Sequence, residues 1–322
     1  MALSNLVVFN QYLQDATAET LAQQVEKFNG ASNGAIVLTS MDFEGDFFQR
    51  SFYSALHSAQ RRVDRYAAQS SAAATALAQL QENAVKVAGG FGPISFEPAQ
   101  MRWIQTNEAE AIAVISGQLA EAIMSDQLNT AIKGLVAAIS NNANVTNDVS
   151  ATAGLSYSAL NNSHALFGDR SGDLVAQIMN GAAYHGLIGA NLTNTPQLFQ
   201  AQNVTIVDIL GKPVIVTDAA DLYTAGTPNK VKVLSLVSGA ATVMDGSEVV
   251  TNIETSNGQS RIETTMQADY SFGLGLKGYS WDTANGGKSP TDADLATGAN
   301  WDKIVTSDKH TAGVITIADA DK

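Results

Sequence analysis

Six residues late in the chain, Gly273 to Gly278 (GLGLKG), spell G-x-G-x-x-G, the spacing of a dinucleotide-binding loop. Its glycines matter where a strand turns sharply into a helix whose N–H groups face a pyrophosphate. Upstream, RIETTMQADYSF sets Ile262, Thr264, Met266, Ala268, Tyr270 and Phe272 on one alternating face, which predicts a strand. Downstream, YSWDTANGGKSPTD carries Gly286, Gly287 and Pro290 with no helical period, so the required crossover helix is missing. The expectation is a strand in which Gly273, Gly275 and Gly278 relieve close backbone neighbours.

Other chemistry-bearing residues are scattered. The four histidines, His57, His164, His185 and His310, have no H-x-x-x-H or H-E-x-x-H spacing, so no helical metal pair is expected. GYSWD places Trp281 and Asp282 where a serine-hydrolase elbow would close on glycine. DADLATG (Asp292, Asp294, Gly298) has Ala296 and Thr297 where a calcium loop needs an oxygen ligand and a glycine, and reads as a solvated turn. Glu110, Glu121 and Asp126 are carboxylates on a helical stretch, where capping or solvation is their ordinary work. The sequons at Asn144, Asn161, Asn191 and Asn203 would matter only in an exported protein. The expected site list is therefore none catalytic, none cofactor-binding and none metal-binding.

The totals agree with that list. The chain has 322 residues, no cysteine, a net charge of -13, and a charged fraction of 15%, against about 25% in ordinary soluble chains. Missing thiols remove cysteine nucleophiles and cysteine zinc sites. Acidity argues against a general nucleic-acid binder, because phosphates need clustered Lys and Arg. Only RRVDR (Arg61, Arg62, Arg65) is locally basic, and on a helix it would be a solvated face. Charge depletion also marks surfaces buried between subunits. Neither a basic leader nor an 18-residue apolar run is visible, so an unexported soluble protein is expected, and this disfavours a cell-surface adhesin.

Few elements are left to position any site. A short helix with Leu21, Val25 and Phe28 on one face lies in an N-terminal arm. RYAAQSSAAATALAQLQENA predicts a helix by propensity, and GGFGPISFEP breaks it into an extended, exposed excursion. Asn107 and Glu110 form a capping box, and Ile112, Ile115, Leu119, Ile123, Leu128, Ile132, Leu135 and Ile139 carry one long helix to Ser140. Helical fragments around Leu155 to Phe167 and Asn180 to Leu192 flank a short strand, LVAQIM. VTIVDIL, PVIVT, VKVLSLV and SEVVTNIE then predict a mixed sheet with helices on its faces, an α+β class. The residues beyond Gly286, including Trp301, are expected to drape over other surfaces.

Several strings, in this order, resemble the major capsid proteins of tailed double-stranded-DNA phages, the Hong Kong 97-type fold. DILGKPVIVTD (Asp208 to Asp218) resembles a strand pair of the axial domain, and VLSLVSGAATV its return strand. FGDRSGDLVAQIMNGAAYHGLI resembles the axial segment where a strand leads into a helix with an aromatic residue, here Tyr184. LKGYSWDTANGGKSPTDADLATGANWDK resembles the C-terminal signature of one subgroup. The resemblance covers about two thirds of the chain.

It implies an N-terminal arm over 1–40, an extended loop with a flanking helix over 41–105, and a peripheral domain with the spine helix over 106–146. An axial domain of mixed sheet and helices would follow over 147–230, return strands over 231–285 and a C-terminal tail over 286–322. It further implies a non-enzymatic protein that self-assembles as hexamers and pentamers into an icosahedral shell. The shell would enclose double-stranded DNA without sequence-specific binding, with portal, decoration and scaffolding proteins as candidate partners and no membrane. The virion would be its place, after assembly in the host cytoplasm. Some relatives cross-link a loop lysine to a neighbour's asparagine. Lys86 is the only lysine between Lys27 and Lys133, although nothing identifies the buried acid that bond requires. An encapsulin-type compartment of the same fold and an α/β enzyme with an unrecognised site are the alternatives.

Overall fold

The computed structural model describes residues 12–13, 15–21, 29, 32–39, 45–53, 60–68, 71, 74, 79–96, 108–194, 208–209, 211–256 and 263–322. Its longest helix is α1 (Glu108–Ser140), whose 33 residues extend about 50 Å at 1.5 Å per residue. The expected apolar positions face inward. Leu119, Ile123, Ile132, Leu135 and Ile139 are buried, and Ile112, Ile115 and Leu128 pack against the same core. Each fully buried aliphatic side chain contributes about 1.5–3 kcal/mol. Over residues 130–139 burial runs all the way round, with Lys133 alone partly exposed. That pattern follows from the neighbours, because α1 packs on elements of two different sheets.

The first sheet runs β1 (Ile36–Thr39), β10 (Ala241–Ser256), β11 (Glu263–Leu276), β12 (Tyr279–Trp281) and β13 (Trp301–Lys303). β3 (Gln79–Phe96) also pairs with β11, and β2 (Phe47–Tyr53) with β3. On β11 the alternating residues Thr264, Met266, Ala268, Tyr270, Phe272, Leu274 and Leu276 are buried, as the period of two predicts. Two polar bonds fix α1 over this sheet: Tyr270 Oη donates to Asp126 at 2.6 Å, and Gln127 Nε2 donates to Asp245 at 2.9 Å. Asp245 begins an irregularity in β10, where four residues span the two steps from Phe272 to Tyr270 on β11.

The second sheet is mixed, in the order β4 (Thr146–Asp148), β14 (Gly313–Asp319), β9 (Lys230–Val237), β5 (Leu174–Met179), β7 (Lys212–Val216) and β6 (Asp208–Ile209), with β8 (Tyr223–Thr224) on β9. All seven residues of β14 are buried. This strand lies between α1 on one face and α2 (Tyr157–Ala165) on the other, so neither side chain direction reaches water. A separate apolar cluster joins Leu160 of α2 and Leu187 of α3 (Gly181–Asn194) to Val231 and Val233 of β9.

Three expectations are corrected. The Ala-rich stretch is not helical where it is described: residues 65–67 bend, and Gln79 to Ala84 begin β3. Ladder pairing overrides the helix propensity of alanine there, since β3 pairs with β2 along 79–85 and with β11 along 85–96. RRVDR is likewise exposed and non-helical. The third correction concerns the segment after Gly286: it does not drape over other surfaces, because its Leu295, Trp301 and strand β14 are part of the core. Trp301 packs edge-on against Trp281, ring centroids 4.8 Å apart, and β14 pairs on both its edges. At the other end, Leu13 and Leu21 are buried in the main core, while Val25, Phe28 and Asn107 lie outside the described residues.

Trp281 Nε1 donates to the Gly287 carbonyl at 3.0 Å, and its ring lies directly on Gly286. A Cβ on Gly286 would fall 2.2 Å from the ring. Gly286→Ala should therefore displace a buried indole and cost about 1–3 kcal/mol in guanidinium unfolding followed by tryptophan fluorescence. An unchanged midpoint would contradict this packing.

His164 on α2 is 7% exposed and bonds Ser235 Oγ of β9 through Nε2 at 3.0 Å. Burial first, then the charge of Lys212, pulls its pKa from 6.5 to about 4. Between those values the unfolded chain binds a proton that the folded chain does not, so stability rises with pH across the window. Unfolding midpoints should be steady above about pH 6.5 and fall toward pH 4. The loss at the acid end is up to about 3 kcal/mol. His164→Gln should flatten that slope, and an identical slope would overturn the assignment.

Candidate functional site

The residues singled out by their chemistry are dispersed. His164 is buried in the second sheet's packing, His185 is exposed on α3 with its ring edge-on to Tyr184, and His57 lies outside the described residues. His310 is exposed, and its Nδ1 accepts from Arg170 Nη1 at 2.8 Å. Glu110 and Glu121 are exposed on α1, whereas Asp126 is committed to Tyr270. Burial first, and that bond second, hold the Tyr270 hydroxyl well above the usual phenol range.

DADLATG forms a capped turn. Thr291 and Asp294 make a reciprocal capping box on α4 (Asp292–Leu295), and Asp292 pairs with Lys133 at 3.0 Å. Asn144 Nδ2 donates to Asp308 at 3.1 Å, Asn161 is exposed on α2, Asn191 lies in α3, and Asn203 is outside the described residues. Lys86 sits in β3 opposite Gly273. Among the described residues no group of three His, Asp or Glu is placed to hold a metal ion.

The glycine motif does shape a concavity, though not a nucleotide loop. β11 reverses into β12 through Lys277 and Gly278, with Leu276 opposite Tyr279. Gly278 has φ +79°, and a Cβ there would stand 3.0 Å from both the His310 carbonyl and the Thr311 Cα. The turn is thereby held against the segment 308–311 and delivers Lys277 into a cleft of about 430 Å³ between the two sheets. Arg170, Lys277 and Lys309 line it with His310 and one carboxylate, Asp173. Sequence reasoning passed over these cations because 139 positions separate Arg170 from Lys309. The available signal was Lys277, standing inside the motif as its variable residue.

Nothing in the cleft pairs a nucleophile with a base. Arg170 bonds Asp173 at 2.6 Å, Lys309 pairs with Asp169, and Lys277 Nζ donates to the Ser238 carbonyl at 3.0 Å. Burial, reinforced by Arg170, lowers the Lys277 pKa. The arrangement attracts anions and offers no proton relay.

A second surface is defined by exposure. At the far end of the β2–β3–β11–β10 ribbon, Gly92 to Ser95 are exposed consecutively, so neither face of β3 is covered there. Ile94 is 51% exposed and Val250 63%. Apolar side chains left open on both faces of a ribbon mark a contact surface.

The comparisons agree with this geometry. The fold is similar to that in the cyanophage Pam1 capsid asymmetric unit, with a TM-score of 0.53 and 10% identity over 88% of each chain. It is similar also to that in the head of Helicobacter pylori bacteriophage KHP40, with a TM-score of 0.50 and 10% identity over 89% of this chain and 88% of that one. No curated protein matches the chain. A family model for major capsid protein 13-like proteins matches residues 5–315. With a spine helix, a long ribbon and two sheets arranged as in phage heads, and with that model spanning nearly its whole length, the chain belongs to the major capsid protein 13-like family and has the Hong Kong 97-type fold.

Proposed function

We propose that the chain is the repeating unit of a phage head, arranged as hexamers and pentamers in an icosahedral shell around the genome, with a structural and non-enzymatic role. The family match over residues 5–315 carries this reading. The geometry supports it, since a body built on α1 supplies rigidity while the uncovered end of the ribbon supplies reach. In this assignment β2 and β3 form the extended loop of 41–105, the second sheet with α2 and α3 forms the axial domain, and α1 is the spine of the peripheral domain.

Contacts of modest strength, repeated around closed symmetry, add up to a stable container. A net charge of -13 leaves the packaged double-stranded DNA ungripped and free to move during packaging and ejection. Among the described residues no helix is long and apolar enough to cross a membrane. The virion is the protein's place, reached by assembly in the host cytoplasm, with portal, scaffolding and decoration proteins as its partners.

Negative-stain microscopy of the purified chain tests the reading. Closed shells of uniform diameter are the expected result, and particles from infected cells should contain nucleic acid. A monodisperse monomer or dimer under all assembly conditions would contradict it.

A further inference from the structure

The cleft between the sheets has an unbalanced charge. Three cationic side chains line it against one carboxylate, on a chain whose acidic residues outnumber its basic ones by 31 to 18. Two of the cations have carboxylate partners: Arg170 has Asp173, and Lys309 has Asp169 on the rim. Lys277 is the remainder. Its ammonium meets a single backbone carbonyl, that of Ser238, and no carboxylate among the described residues reaches it within ion-pair distance. An ammonium has three protons to donate, so two are left for a ligand.

His310 adds to the same polarity. Its Nδ1 accepts from Arg170, so in the neutral ring the proton sits on Nε2, which makes the free side of the imidazole a donor. The Lys277–Gly278 turn is held against 308–311 and cannot swing away without opening the packing at Gly278. The cationic groups are thus presented on fixed backbone. Burial first, and the nearby guanidinium second, lower the Lys277 pKa and outweigh the opposing charges of Asp173 and Glu82, so the ammonium gains from a further anion.

We infer that this cleft receives a carboxylate side chain from a second copy of the chain, with Lys277 as its principal partner and Arg170 and His310 beside it. Charge complementarity favours this occupant. Each copy carries 13 more acidic than basic residues, so carboxylates are the anions that neighbouring copies bring to the cleft as the shell assembles. A phosphate of the packaged DNA is a less suitable occupant, because a duplex carries about one negative charge per 1.7 Å of its axis, and an acidic body repels so dense a polyanion more than it repels a neighbouring copy whose 13 excess charges are spread over a whole chain. The inference rests on the shell reading and adds a specific contact to it.

Zero-length carbodiimide coupling tests it, because that reagent joins an amine only to a carboxylate already in contact. Shells reassembled from equal amounts of unlabelled and isotope-labelled chain should yield a mixed-isotope peptide linking Lys277 to an Asp or Glu. Lys277→Gln should lower the yield of shells at least threefold at moderate salt, whereas Lys288→Gln, at an exposed lysine outside the cleft, should assemble as the wild type does. The unassembled Lys277→Gln chain should unfold at the wild-type midpoint or above it. Shells that form with Lys277 unlinked, or linked only within one chain to Asp173 or Glu82, would overturn the inference and leave the shell reading standing. So would binding of free inorganic phosphate that depends on Lys277 while Lys277→Gln shells form normally. A chain that forms no shells at all would refute both.

Discussion

Everything in this fold depends on burying the C-terminal third of α1 between two sheets. Residues 130–139 are enclosed on nearly every side: α1 touches β11 and β13 of one sheet and β14 of the other, and within this stretch Gly134 lies against Leu274, Leu276 and Trp301. Neither sheet has a complete core without the helix. The small residues Thr130, Ala131, Ala137 and Ala138 let backbone approach closely, and Leu135 and Ile139 fill the centre. Because interiors of this density transmit displacement, the helix and both sheets should move as one body. The polar bonds from Asp126 and Gln127 add direction to that contact, since they set where along the first sheet the helix lies.

Such a body explains where function can reside. Its interior is committed to packing: His164 and Trp281 are buried in structural contacts, and the half-buried Asp126 is bound to Tyr270. What remains free is surface, namely the uncovered ribbon end and the cationic cleft at the seam. Both are places where a neighbouring chain can add what this chain lacks, apolar cover in one case and negative charge in the other. A capsid subunit is expected to be incomplete in this way, because its assembled state is the stable one.

Much of this was legible in the sequence, for physical reasons that differ by element. α1 was readable because its apolar residues recur at steps of three and four, with one of five, from Ile112 to Ile139, a signal no other element sustains. β11 was readable by strict alternation, and β5, β7 and β9 by short apolar runs between turn residues. The Ala-rich stretch misled because alanine reports helix propensity and says nothing of a partner strand, and β3 is held by β2 and β11. The last segment misled because Asp, Gly and Thr suggest a surface, while its burial rests on a few large residues, Trp301 among them, and on a strand inserted between two others from far earlier in the chain. The cleft was hidden for the same reason, as its cations meet only after the sheets have formed. Helical metal pairs and hydrolase elbows depend on local spacing, so those two patterns can be looked for in a sequence before its fold is known.

Hydrogen–deuterium exchange on assembled shells and on dispersed subunits measures the central claim most directly, that one rigid body joined by α1 uses its exposed parts to bind copies of itself. The account predicts strong and equal protection of residues 130–139 in both states. It also predicts protection gained on assembly at the ribbon end around Ile94 and Val250, and at the turns carrying Lys277 and Arg170. Protection of α1 that appears only in shells, or an unchanged ribbon end, would contradict it.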